Sequence, residues 1–126
     1  MDSLGLIFAS RNEDYIKAIK KSFTDNGNCT VPGHLEKLCP SDAIVLNGTA
    51  IHGEDFDDTF EGTPVHVGSV MCSSLLTAAE YYELEPKEIL KGLAVGSELM
   101  CRLALVSPMA IHKQGCLLYT SDSADE

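Results

Sequence analysis

Between His52 and Gly68 the chain reads His-Gly-Glu-Asp-Phe-Asp-Asp-Thr-Phe-Glu-Gly-Thr-Pro-Val-His-Val-Gly, with two of the four histidines and five carboxylates close together. Such groups serve acid–base or metal chemistry; packing does not call for them. A histidine beside carboxylates moves protons near neutral pH. His52 and Asp55 are three apart, and Asp55 and Thr59 four apart. If a helix persists through Phe56, His52, Asp55 and Thr59 share one face. Gly62 and Pro64 then bend the chain so that His66 folds back towards them. A plainer expectation is that Asp57 and Asp58 cap the turn. A rival metal reading uses Asp57, Asp58 and Glu61. They resemble the aspartate-rich box of all-helical terpene and prenyl diphosphate synthases, where acids hold magnesium on a diphosphate. The second acidic motif and the basic phosphate-binding residues of those enzymes are not visible here. A third class is a non-catalytic helical interaction module.

These residues have to be positioned by the rest of a 126-residue chain, about one modest domain. A 44 % apolar content fits a folded core. The net charge of −10 argues against nucleic acid or an anionic membrane surface as partner. There is no stretch of eighteen apolar residues, so no membrane span is expected. Five scattered cysteines without a Cys-x-x-Cys pair argue against a zinc ribbon or a disulfide scaffold. With no basic leader after Met1, a reducing cytoplasm is the expected compartment.

The spacing predicts an all-α fold. Residues 2–9 read as the end of a buried helix, with a buried strand as the alternative that periodicity alone leaves open. Asn12 is the expected N-cap of a second helix carrying Tyr15, Ile16, Ile19 and Phe23, which Asn26-Gly27-Asn28 ends. Cys29–Gly33 reads as a short extended piece and a turn. Ser41 is the expected N-cap of a third helix, with Ala43, Ile44, Leu46, Ala50 and Ile51 as its apolar surface. A fourth helix is expected over Ser69–Glu83. Pro86 opens a fifth, in which Glu98 and Arg102 form an i,i+4 ion pair. Single histidines such as His34 and His112 read as ordinary surface or satisfied residues, and the cysteines as small buried apolar ones.

The order Asn47-Gly48, His52-Gly-Glu-Asp55-Phe-Asp-Asp-Thr59, Val65-His66-Val-Gly68 resembles the MmgE/PrpD family, which includes 2-methylcitrate dehydratase and cis-aconitate decarboxylase. Asp2-Ser3-Leu4-Gly5, Gly96-Ser97-Glu98 with Arg102-Leu103, and His112-Lys-Gln-Gly115 resemble flanking segments of that family; Ser97 stands where the family usually has Tyr. The likeness implies that residues 1–115 are part of the family's helical domain, a fragment expected to be inactive alone. It also implies that Asp55, Thr59 and His66 are catalytic, with His52 at the substrate. The implied chemistry is dehydration of a small polycarboxylate such as 2-methylcitrate, without metal or organic cofactor, in an intact parent that is a homodimer. The family often has His-Pro where this chain has His66-Val67. Residues 116–126 resemble the translation of a sequencing-adapter sequence, so a non-native or disordered tail is expected there. Without the tail's Asp122, Asp125 and Glu126 the net charge of −10 becomes −7. A tricarboxylate then needs cations from elsewhere in the intact protein.

Overall fold

The computed structural model describes residues 2–24, 26–61 and 63–108. The expectations for His112, Gly115 and the 116–126 tail lie outside the described residues. The all-α expectation holds. Among the described residues five helices run in order, α1 Asp2–Ser10, α2 Asp14–Lys20, α3 Pro40–His52, α4 Val67–Tyr81 and α5 Pro86–Val106. Between α2 and α3 lies a two-residue antiparallel ladder, β1 Cys29–Thr30 with β2 Lys37–Leu38, in the register Cys29–Leu38 and Thr30–Lys37.

Helix α3 is the centre of the fold. Its Ala43, Leu46, Ala50 and Ile51 are buried against Leu6 and Ile7 of α1, Ile16 of α2 and Cys29, Val31 and Leu38 of the ladder region. Each large aliphatic side chain taken fully out of water contributes roughly 1.5–3 kcal/mol, so this cluster is the main source of cohesion. Ser10 ends α1 inside that core, where its hydroxyl donates to Ala50 O at 2.7 Å, with Leu6 O 2.8 Å away. Asn47 is also buried, and its amide nitrogen reaches Thr30 O at 3.4 Å. Glu80 of α4 grips the ladder from the other side. It accepts from the Thr30 amide at 2.5 Å, the Thr30 hydroxyl at 2.7 Å and Lys37 Nζ at 3.0 Å. Burial alone would raise the Glu80 pKa, but these donors outweigh it and hold the carboxyl below its ordinary value.

The helix ends depart from the sequence expectation at several points. The N-cap of α2 is Glu13 rather than Asn12, and the helix stops at Lys20, well before Asn26. The N-cap of α3 is Cys39 rather than Ser41, because Pro40 takes the first helical turn, where its missing N–H costs nothing. Helix α4 starts two residues earlier than Ser69 and ends at Tyr81. Pro86 does open α5, and Arg102 meets Glu98 at 2.6 Å. Helix α5 approaches α4 closely at Gly92 and Gly96, where an added Cβ would stand 2.7 Å from Leu75 Cδ2 and 2.4 Å from Met71 Sδ. None of the α5 residues is buried. No helix among the described residues is long and apolar enough to cross a membrane.

Candidate functional site

The site forms where α3 ends and α4 begins. Helix α3 does not continue to Phe56, which corrects the expectation of a shared helical face for His52, Asp55 and Thr59. It stops at His52, with Gly53 as C-cap. The Tyr15 ring lies directly over Gly53; a Cβ there would sit 2.5 Å from Tyr15 Cε2, so only glycine admits this approach. Tyr15 also donates its hydroxyl to Glu54 at 2.8 Å. Burial and that carboxylate push the phenol up to about 12. Asp55 then adopts φ 55°, in the left-handed region that aspartate tolerates better than most side chains. The chain turns back through bonds from Phe60 N to Val65 O and Val65 N to Thr63 O, and delivers His66 as the N-cap of α4.

The first turn of α4 is capped from a distance. His66 makes no side-chain cap. Instead Asp58 accepts from Gly68 N, at 2.9 and 3.1 Å to its two oxygens. A carboxylate at a helix N-terminus satisfies a free donor and opposes the helix dipole. The capping expectation is therefore right for Asp58, although what it caps is the following helix. Asp57 is not a cap. Its side chain is 1 % exposed and lies between both histidines, with Oδ1 3.1 Å from His52 Nδ1 and 3.0 Å from His66 Nδ1. The two rings meet edge-on, with centroids 4.4 Å apart.

Asp57 and Asp58 thus point to different partners and do not form a paired magnesium box. Among the described residues the cluster that assembles is His52, Asp55, Asp57 and His66, without Asp58 or Glu61. Each member offers a nitrogen or oxygen within 4.8 Å of the others. Asp55 is exposed, and its Oδ1 is 4.0 Å from His66 Nε2, beyond hydrogen-bond range. That Nε2 is buried and has no partner among the described residues. Thr59 is exposed on the same loop, and among the described residues no hydrogen bond joins its hydroxyl to the cluster.

The cluster therefore brings together three of the four expected site residues, His52, Asp55 and His66, and adds Asp57. An ionised carboxylate only accepts hydrogen bonds, so against one each Nδ1 acts as the donor and Nε2 is the nitrogen left for other partners. A groove of about 430 Å³ opens beside His52 between α3 and α4, bordered also by Gly48, Thr49, Ser69, Val70 and Ser73; His66 does not line it. None of its lining residues is lysine or arginine.

Residues 1–121 match the MmgE/PrpD N-terminal domain family. A cis-aconitate decarboxylase-like protein of Aspergillus oryzae is 32% identical over 83 residues, which is 65% of this chain and 17% of that protein. The cis-aconitate decarboxylase of Mus musculus is 32% identical over 112 residues, 82% of this chain and 22% of the mouse protein. The chain thus spans about a fifth of the length of these relatives. No solved structure matches it.

Proposed function

Because this chain belongs to the MmgE/PrpD family, we propose that the intact protein is a lyase acting on a small polycarboxylate, and that the His52–Asp57–His66 cluster is its proton-transfer centre. The observation that carries the reading is the buried Asp57 carboxylate shared by two imidazoles. A carboxylate so placed fixes tautomer and ring orientation and stabilises the imidazolium that forms when Nε2 takes a proton.

In the proposed reaction His66 Nε2 removes a proton from the carbon next to a substrate carboxylate. The electron pair of that C–H bond becomes the carbon–carbon double bond, and the hydroxyl on the neighbouring carbon leaves with a proton as water. Asp55, across from Nε2, is the group proposed to hand over that second proton. His52, at the wall of the groove, is proposed to contact the substrate. The role of Thr59 rests on the family motif alone. No step requires a metal ion. The groove has no cationic lining, so the lysines or arginines that neutralise the substrate come from other parts of the intact protein, and the 126-residue chain by itself is proposed to be inactive.

Decarboxylation is the second reading, since both relatives are named for it. There the bond broken is the one to carbon dioxide, and the same histidine returns a proton to the carbon left behind. Incubating the intact protein with 2-methylcitrate and with cis-aconitate, and measuring the unsaturated acid and carbon dioxide, separates the two. His66→Ala and Asp55→Ala are expected to abolish turnover while the helical circular dichroism is retained. Undiminished turnover in either folded variant removes that residue from the mechanism.

A further inference from the structure

We propose that Asn26–Gly27 is a site of spontaneous modification, where the asparagine amide is converted through a cyclic imide to aspartate and isoaspartate, and that the fold protects the chain's second Asn-Gly pair, Asn47–Gly48.

Both pairs carry the same reactive groups. The backbone nitrogen of the glycine attacks the side-chain carbonyl carbon of the asparagine. A carbon–nitrogen bond forms, and the side-chain nitrogen leaves as ammonia with the backbone proton. Water then opens the five-membered imide at either carbonyl, which gives aspartate or isoaspartate. Glycine hinders the attack least, because it has no Cβ.

The surroundings of the two pairs differ. Asn26 and Gly27 are exposed and lie in neither helix nor strand. The Asn26 N–H is turned to Thr24 O at 2.7 Å, whereas the Gly27 N–H has no backbone partner among the described residues. Asn47 is 2 % exposed, and its amide nitrogen is held towards Thr30 O at 3.4 Å. Gly48 lies inside α3, so its N–H is committed to the helical ladder and its nitrogen cannot turn to the Asn47 side chain. Attack there requires the central helix to open, and core elements open least.

The product bears on the fold. A Cβ at Gly27 would overlap the Leu38 carbonyl and Cys39 N, so the main chain passes β2 closely at this point. Leu38 pairs with Cys29 in the ladder, and Cys39 is the N-cap of α3. Isoaspartate runs the main chain through its side-chain carbons, which adds a carbon just ahead of that contact and loosens it.

Ageing the purified chain at mildly alkaline pH, folded and in urea, tests this by peptide mass mapping with isoaspartate methyltransferase labelling. In the folded chain Asn26 should lose its amide at least about 100-fold faster than Asn47. In urea the two rates should draw together. Asn26→Gln, which would have to close a larger ring, should remove the label from this segment. Equal rates in the folded chain, a difference that persists in urea, or an Asn26 amide that outlasts those of Asn12 and Asn28 would overturn the proposal. The isoaspartate form, separated by ion exchange, should unfold at lower urea than Asn26→Asp, which has the charge without the added carbon. Equal unfolding would overturn the loosening and leave the modification standing.

Discussion

Replacing Gly68 by alanine should destabilise this chain by acting on Asp58 rather than on α4 itself. A Cβ at position 68 would stand 2.0 Å from Asp58 Oδ1 and 3.2 Å from Ser3 Oγ. Ser3 can rotate away, but the carboxylate has to retreat by roughly 1 Å or more to reach van der Waals distance. Its contacts with Gly68 N, now 2.9 and 3.1 Å, then leave hydrogen-bond range. Loss of a capping acceptor costs about 0.5–2 kcal/mol. Alanine in place of helical glycine returns at most about 1 kcal/mol, and less in the first turn. The expected net for Gly68→Ala is a loss of about 1 kcal/mol, a fall in Tm of about 3–5 °C for a chain of this size. Asp58→Ala should cost a similar amount. The double variant decides the matter. With the carboxylate gone, alanine at 68 meets no clash, so the second substitution should be neutral or mildly stabilising. Urea unfolding of the four proteins should then give a coupling of about 1–2 kcal/mol, well beyond the additivity expected of independent sites. Strictly additive losses would refute the argument that Asp58 caps α4 across the loop.

Asp57→Asn in the intact protein should lower kcat by about 10²–10⁴-fold with a smaller change in KM, since the carboxylate orients both imidazoles without lining the groove; steady-state kinetics would show it. Glu80 should make stability fall in acid. Its folded-state pKa lies below the ordinary 4.5, so its contribution is complete above that value and disappears as the pH drops through the lower folded one. Chemical unfolding across that range should show the loss, and Glu80→Gln should flatten it. Tyr15→Phe removes the bond to exposed Glu54 and should cost no more than about 1 kcal/mol, with turnover of the intact protein unchanged; a large loss of activity would place Tyr15 in the mechanism.

Apolar spacing was enough to place α2 to α5, because each brings hydrophobic residues to one side at intervals of three and four, whereas for α1 spacing alone left a buried strand open. It placed their ends less well. At α3 both Pro40 and Ser41 are good starting residues, and proline's fixed φ decided in favour of Cys39 as the cap. The meeting of His52 and His66 was legible from the turn-forming residues between them. The part of Asp57 was not. Asp55, Asp57 and Asp58 lie in a stretch without helical or strand period, so their directions are set by what packs around them. One lies over His66 Nε2, one is buried between the rings and one reaches Gly68. Nothing in the local pattern separates the three. Thr59 shows the converse: a residue singled out by a helical register that the chain abandons at Gly53.

The φ of 55° at Asp55 bears on how that residue is to be probed. Swapping it for alanine removes the carboxyl and also forces a conformation that alanine resists, so any drop in rate would mix two causes. Glycine deletes the side chain while accepting the turn, and asparagine keeps both shape and backbone preference while discarding the charge. Comparing those two substitutions separates what the carboxyl does from what the bend requires.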